Sequence, residues 1–180
     1  MSVSRILQER LARARSAIGH GITYELGQGG FDPEASLPTD TGKCDCSGFV
    51  SWCLGLDRNP KPSRDWPIQT DHMWADATGA QEVFVRLSGP VPGCVVVYPS
   101  EGSADGYGHC GIVAKASAAR RLFAALLGLS PFTVVDCCAS LDGIYEHVQR
   151  AFLTERRTVF CCLRDEQRQK RRSAAQRMSL

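Results

Sequence analysis

The sequence lacks an apolar run long enough to cross a membrane, because no uninterrupted stretch approaches the roughly 20 residues that a transmembrane helix needs. It also lacks the apolar core of a signal peptide, since residues 1–21 interrupt their apolar positions with Arg and Glu. We therefore expect an amphipathic helix at the N-terminus, no transmembrane segment, and a protein that is cytoplasmic as synthesised. Export by a route that needs no signal peptide stays open.

A marked excess of charge of one sign is also absent. The 21 Lys and Arg residues nearly balance the 19 Asp and Glu residues, and a net charge of +2 gives no reason to expect a nucleic-acid partner. Hydrophobic residues make up 43% and charged residues 22% of the 180 residues, which is typical of one globular domain with a real core. We predict a single domain over residues 1–165 and a basic tail over 166–180, removable from Gln169 onward.

Cysteine, by contrast, is abundant. The nine cysteines are an odd number, which argues against a complete disulfide framework in a chain without an evident secretion signal. Structural zinc usually takes ligand pairs two to four residues apart. The close pairs here are Cys44-x-Cys46, Cys137-Cys138 and Cys161-Cys162. Adjacent cysteines on a strand point to opposite faces and serve one ion poorly. We expect no metal ion and no cofactor, and interpret most cysteines as small buried hydrophobes.

Hydrophobic patterning predicts helices first and strands afterwards. Apolar residues recur at helical spacing near the N-terminus, and Gly, Pro, Asp and Thr then mark a long loop. The predicted helices cover about residues 3–18, a segment starting near Asp45, a short segment near 70–77, and an insertion between 118 and 131. The predicted strands are the β-branched runs 94–98, 109–115, 132–138 and 158–164.

The segment KCDCSGFVSW, residues 43–52, places a cysteine at the predicted start of a helix. Asp45 is a good N-cap, which puts Cys46 in the first turn. There the helix dipole and free backbone N–H groups favour the thiolate, which is the reactive nucleophile. Ser47 and Gly48 are small and would let a substrate approach. The alternative is that Cys46 is one more buried core residue.

A nucleophilic cysteine needs a base, and the chain has four histidines. His109 follows the flexible loop SADGYG and opens a predicted strand, so a rigid sheet could hold its imidazole near the helix start. Gly108 and Gly111 leave room around it. Cys46 and His109 together predict a thiolate–imidazolium pair for nucleophilic catalysis.

The segments DCSGFVSW (45–52) and GHCGIV (108–113) resemble, in this order, the two motifs of the NlpC/p60 family of papain-like cysteine peptidases and amidases. The segments GITYELGQGG (21–30) and PGCVVVYP (92–99) resemble the family's Tyr-containing segment and the strand before the His motif. The resemblance covers roughly residues 20–165. It implies an α+β papain-like fold, with the nucleophile helix packed on an antiparallel sheet, and hydrolysis of amide bonds in peptidoglycan stem peptides.

The resemblance also implies roles for single residues. His109 would take the proton of Cys46, and the thiolate would attack the scissile carbonyl. The Cys46 backbone N–H, with the Tyr24 hydroxyl, would stabilise the oxyanion. Asp45 and Ser47 would bind the amine end of the substrate, although Asp45 cannot do this and cap the helix equally well. Tyr24, Asp45 and Ser47 are therefore the predicted substrate-binding residues, beside the catalytic Cys46 and His109.

The residue that orients His109 is harder to choose. Val134, Asp136 and Cys138 share one face of the predicted strand 132–138. A carboxylate would stabilise the imidazolium directly, which favours Asp136. We nevertheless favour Cys138, because the segment Cys-Ala-Ser falls where relatives in the NlpC/p60 family often have His-Ala-Ser, and we keep Asp136 as the alternative. His147 ranks third, since we place it past the strand.

Other functions fit the same residues. Some secreted amidase effectors that the chain resembles use a cysteine at the third position. Such an effector would reach the cell wall without a signal peptide and would have an immunity or inhibitor protein as a partner. Thioester chemistry could also serve a cytosolic acyltransferase or deamidase, and a catalytically silent binding domain could keep the same fold. We expect a monomer whose substrate is peptidoglycan or another peptide amide.

Overall fold

Six antiparallel strands form the main sheet of the computed structural model, which describes residues 3–58, 68–116, 132–155 and 157–166. They are β3 (Phe84–Leu87), β4 (Val95–Tyr98), β5 (His109–Ala116), β6 (Phe132–Cys138), β7 (Gly143–His147) and β8 (Val159–Leu163). Their spatial order is β3-β8-β4-β5-β6-β7, so β7 is an edge strand next to β6. Strands β4 and β6, which read VVVY and FTVVDCC, are rich in β-branched residues and almost entirely buried, as is typical of inner strands of a sheet.

Four helices and a short parallel pair of strands accompany the sheet in the described part of the chain, whose last three residues, 164–166, are also helical. The helices are α1 (Val3–Ser16), α2 (Cys46–Leu54), α3 (Thr70–Thr78) and α4 (Ala151–Thr154). The short pair is β1 (Thr23–Tyr24) and β2 (Lys43–Cys44). None of the helices within the described ranges is long and apolar enough to span a bilayer.

Helix α2 is the central element of the core. All nine of its residues are buried, and seven of them are apolar or glycine, as expected for an internal helix. It packs on β5 and β6, and Phe49 and Trp52 are at most 1% exposed. Gly55, with φ of 66°, ends the helix in the left-handed conformation that favours glycine. A smaller apolar cluster on the other face of the sheet contains Tyr98 and Phe152.

The predicted α+β class and antiparallel sheet are confirmed. The four predicted strands and the helices at the N-terminus, near Asp45 and near Thr70 are all present. Strands β3 and β7 were not predicted. His147 does lie beyond the strand 132–138, but it is the last residue of the unpredicted β7 and pairs with Val134. The insertion between 118 and 131 and the tail beyond 166 lie outside the described residues.

The cysteines behave as the composition predicts. All nine are buried and have free thiols. Most lie in the two apolar clusters on either side of the sheet, so they act as small apolar side chains there.

Glu166, the first residue of the predicted basic tail, takes part in a buried ion pair with Arg10. Arg10 and Glu166 are both 5% exposed. The Arg10 guanidinium donates to the Glu166 carboxylate and also to the carbonyl oxygen of Gly93, over 3.1 Å. Glu166 in turn accepts from the backbone N–H of Leu163 over 3.2 Å. Through Glu166, this ion pair connects α1 to the end of β8.

Candidate active site

The start of α2 is built around the carboxylate of Asp45. Asp45 has extended backbone angles, and its Oδ1 accepts from the N–H of Gly48 over 2.7 Å and from the Ser47 hydroxyl over 3.0 Å. Its Oδ2 accepts from the N–H of Gly27 over 2.7 Å and from Arg58 over 2.6 Å. Asp45 is therefore the N-cap that the sequence predicts, and Cys46 is the first residue of the helix.

This network decides between the two roles considered for Asp45. The carboxylate is 1% exposed and each of its oxygens already accepts two hydrogen bonds. Ser47 is 4% exposed and also accepts from Arg58 over 3.1 Å. The geometry thus favours helix capping by Asp45, with Ser47 bonded to that carboxylate, over binding of a substrate amine by either residue.

Gly48 serves the packing of the chain's own loop. A Cβ added there would lie 2.4 Å from the carbonyl oxygen of Gln28 and 2.6 Å from that of Gly29. Gly30, with φ of +73°, approaches from the other side, and a Cβ on it would lie 2.4 Å from the Gly48 oxygen. The small size of Gly48 therefore lets the chain's own loop pack against α2, whereas the sequence suggested that it lets a substrate approach.

Tyr24 reaches the same place through the short parallel strands. It pairs with Cys44, two residues before Cys46. Burial raises the pKa of Tyr24, and the negative charges near it at Cys46 and Asp45 add to the effect. The phenol therefore keeps its proton, so it can donate a hydrogen bond.

His109 is the first residue of β5 and lies between the helix start and the neighbouring strand. Its Nε2 is 2.8 Å from Oδ2 of Asp136 on β6. Gly111 makes this approach possible, because a Cβ there would come within 3.0 Å of the Asp136 Cβ. The ring of Phe152 stacks on the imidazole at 5.3 Å between centroids. Because Asp136 holds Nε2, the other ring nitrogen is free to face Cys46.

A second histidine shares the same carboxylate. Nε2 of His147 lies 2.7 Å from Oδ1 of Asp136, so the two imidazoles flank one buried carboxylate. The Asp136 side chain is fully buried, while that of His147 is 21% exposed. Burial alone would raise the pKa of Asp136, but the hydrogen bonds from both histidines lower it below its ordinary value. Asp136 is therefore an anion between two cations.

Electrostatics at Cys46 favour the thiolate. A hydrogen bond from the Cys110 thiol and the charge and hydrogen bond of His109 outweigh burial and lower the pKa of Cys46 to about 5. Burial lowers the pKa of His109, but the charge at Cys46 and the Asp136 carboxylate raise it well above its ordinary value. Burial and the neighbouring Cys46 raise the pKa of Cys110, which therefore stays protonated as a donor. At neutral pH this is a thiolate–imidazolium pair.

A cavity of about 510 Å³ opens beside His109. Aromatic and apolar side chains form much of its wall, with Leu26 and Tyr107 about two-thirds exposed at 65% and 64%. Tyr24, Tyr98, Cys138 and Ser140 also line it. An apolar cavity with a few polar groups beside a reactive pair is the usual form of a small-molecule or peptide site.

The structure thus brings together Cys46, His109, Asp136 and Tyr24 among the residues singled out from the sequence. Cys138 stands apart, because its Sγ lies 3.9 Å from Nε2 of His147 and the group bonded to His109 is Asp136. The Cys138 Sγ also accepts from the Ser140 hydroxyl over 3.5 Å. The geometry therefore favours Asp136, the alternative, over Cys138 as the partner of His109.

Two contributors escaped the sequence reasoning. Cys110 looked like one more apolar residue of a strand, although its place next to His109 carried a weak signal. The sequence ranks His147 third because it lies in the run YEHVQ after the strand 132–138, and its approach to Asp136 depends on the pairing of β7 with β6.

Comparison with known proteins gives one match. The family model of the CHAP domain matches residues 38–122, which include α2 with Cys46 and β5 with His109. This domain is found in NlpC/p60-like and other amidase and peptidase families, and the match supports the resemblance to papain-like peptidases and amidases. It suggests amidase or peptidase activity of the peptidoglycan-hydrolase type. No curated protein and no solved structure matches the chain.

Proposed function

We propose that this protein is a papain-like cysteine amidase or endopeptidase that hydrolyses amide bonds in peptidoglycan stem peptides through a thioester. The observation that carries the proposal is the Cys46–His109 pair at the start of α2, where the pKa of the thiol is lowered to about 5. The CHAP match over residues 38–122 supports the substrate class, since both members of the pair fall inside it.

Acylation begins with the thiolate already formed. Cys46 attacks the scissile carbonyl carbon, and the carbonyl π electrons move to its oxygen. His109 then donates its proton to the leaving nitrogen, the C–N bond breaks, and the acyl group stays on sulfur as a thioester. A water molecule, deprotonated by the now neutral His109, hydrolyses the thioester and restores the pair.

The oxyanion of each tetrahedral intermediate needs hydrogen-bond donors. The N–H of Cys46 belongs to the first turn of α2, where backbone N–H groups have no acceptor inside the helix. Tyr24 remains a phenol because its pKa is raised, and Cys46 is among the charges that act on it. These two donors, with the positive end of the α2 dipole, are suited to stabilise the developing charge.

Asp136 keeps His109 in a productive orientation. The carboxylate holds Nε2 at 2.8 Å, which fixes the ring and leaves Nδ1 for the hydrogen bond between His109 and Cys46. It also stabilises the imidazolium that must persist until proton transfer to the leaving group. Asp136 is thus the third member of the proposed catalytic group, and Cys138 is a neighbour that lines the cavity.

The test is digestion of purified peptidoglycan by the full chain, with the released fragments identified by mass spectrometry. New fragments ending at one amide bond of the stem peptide are expected. Cys46→Ala should release none, whereas Cys94→Ala, which removes a fully buried thiol outside the site, should digest at nearly the normal rate. Circular dichroism spectra should match for all three proteins.

Two results would contradict the proposal. Digestion by a folded Cys46→Ala variant would exclude the nucleophile. Intact peptidoglycan and intact isolated stem peptides, in the presence of a Cys46 that alkylates rapidly, would move the chemistry to another amide or to acyl transfer.

A further inference from the structure

Three potential metal ligands converge behind the imidazole of His109, on the paired strands β6 and β7. Asp136, Cys138 and His147 each offer one ligand atom, and these atoms all lie within 4.8 Å of one another. Asp136 and Cys138 are two residues apart on β6 and so share a face, and β7 brings His147 against that face. We propose that this cluster is a binding site for a divalent transition metal ion, zinc in particular.

The separations between the ligand atoms suit a small ion. Sγ of Cys138 lies 3.9 Å from Nε2 of His147, which lies 2.7 Å from Oδ1 of Asp136. Tetrahedral zinc with bonds of about 2.0–2.3 Å places such atoms about 3.4–3.6 Å apart. These two separations therefore need to change by less than about 1 Å to enclose the ion, and the third, between Cys138 and Asp136, is at most 4.8 Å and needs to shorten by about 1.2 Å or less. Side-chain rotations on two adjacent strands can supply a change of this size.

The chemistry of the donor set selects the metal. One thiolate, one imidazole and one carboxylate are the ligand types that zinc takes, whereas magnesium and calcium prefer oxygen alone. The Cys138 thiolate and the Asp136 carboxylate together carry two negative charges, which a divalent cation neutralises. This matters because Asp136 is fully buried and Cys138 is 3% exposed. Binding would release the proton of the Cys138 thiol and the proton that His147 now shares with Asp136.

Access and a fourth ligand come from the cavity beside His109. Cys138 and the neighbouring Ser140 line that cavity of about 510 Å³. The His147 side chain is 21% exposed, so an ion can reach the cluster from the solvent. Water from the cavity can fill the remaining coordination position, as in sites with three protein ligands.

Metal binding would act on the proposed catalysis, and this part of the inference rests on the proposed function. Oδ1 of Asp136 belongs to the metal cluster, while Oδ2 holds His109. A cation on Oδ1 draws charge away from the carboxylate and weakens its hold on the His109 imidazolium. The thiolate–imidazolium pair then loses stability, so zinc is expected to inhibit and its removal by a chelator to restore activity.

The experiment is a titration of the reduced full chain with Co²⁺, followed by displacement with Zn²⁺ against a chromogenic zinc indicator. Cobalt bound to a thiolate gives a charge-transfer band in the near ultraviolet, which reports the Cys138 ligand without any need for activity. The band is expected in the unmodified protein, in Cys46→Ala and in the matched control Cys94→Ala. It should disappear in Cys138→Ala, and the His147→Gln variant should bind at least about 10-fold more weakly.

The controls separate the possible failures. The inference is overturned if the unmodified protein shows no thiolate band. It is also overturned if the band is lost in Cys46→Ala and kept in folded Cys138→Ala, because that result would place the metal on Cys46 and His109. Zinc should slow peptidoglycan digestion by the unmodified protein more strongly, relative to the zinc-free rate, than digestion by Cys138→Ala. If the cobalt pattern holds but no digestion occurs, only the proposed function fails.

Discussion

Replacing Asp136 by asparagine tests which residue orients His109. Asp136→Asn keeps the size of the side chain and removes the negative charge that accepts from His109 over 2.8 Å and from His147 over 2.7 Å. A hydrogen bond to a charged group contributes about 1.5–3 kcal/mol. If this hydrogen bond stabilises only the imidazolium form of His109, losing it should lower kcat/KM about 10- to 150-fold, since each factor of ten corresponds to about 1.4 kcal/mol.

The assay is the rate of cleavage of an isolated stem peptide, measured by chromatography in the presence of a metal chelator. Cys138→Ala is the matched variant, because Cys138 lies on the same face of β6 yet is not bonded to His109. It should lower kcat/KM by less than a factor of about 3, the cost of a small packing change of well under 1 kcal/mol. Thermal melts must show that both variants fold.

One result would refute this reasoning. A folded Asp136→Asn variant with normal kcat/KM, beside a Cys138→Ala variant reduced more than about 10-fold, would return the orienting role to Cys138. The pH profile adds a second readout, because a merely structural role for Asp136 would lower the amount of folded protein and leave the profile of the folded fraction unchanged.

Three further predictions concern the nucleophile, the loop and the core. The rate at which iodoacetamide alkylates Cys46 should have its midpoint near pH 5, where the pKa of Cys46 lies. Burial raises the pKa of Cys94 to about 12, so peptide mapping should find Cys94 unmodified. A midpoint for Cys46 near the ordinary value of about 8.5 would contradict the ion pair. Gly48→Ala should lower the melting temperature markedly, because its Cβ would meet a backbone oxygen at 2.4 Å, and an unchanged melting temperature would show that the loop yields. Arg10→Met should lower the free energy of unfolding, measured in urea, by about 3–5 kcal/mol, because it leaves the Glu166 charge buried and unpaired. Adding Glu166→Met should recover most of this loss. A single variant as stable as the unmodified protein would contradict a buried ion pair.

The parts of the site that the sequence predicts are those with local signals. Asp45 and Cys46 stand at a helix start that is recognisable from the cap and the following apolar run. His109 opens a strand whose next five residues, Cys110–Ala114, are all buried and include the β-branched Ile112 and Val113. A helix start and a strand start are defined by neighbours in the chain, so their residues could be chosen without knowledge of the fold.

The parts that escaped prediction depend on contacts between distant segments. His147 ends a five-residue edge strand in which Ile144 and Tyr145 stand between Gly and two polar residues, so the strand signal is weak, and it meets Asp136 only because β7 pairs with β6. The choice of Asp136 over Cys138 depends on side-chain reach across Gly111, which alternation along a strand cannot supply. Zinc was rejected from the spacing of cysteine pairs, and that argument does not address a mixed set of ligands from two strands.

The charges of the site alternate from one hydrogen-bonded neighbour to the next, and His147 at one end has the most exposed side chain. Cys46 is negative, His109 positive, Asp136 negative and His147 positive, and each neighbouring pair has a side-chain hydrogen bond. Such a chain can be buried because every charge has an opposite partner, which offsets much of its desolvation cost. Removing one inner member leaves a neighbour uncompensated, so the remaining groups must change protonation. His147, the exposed end, is the member through which solvent protons or a metal ion can act on a thiolate that is only 5% exposed.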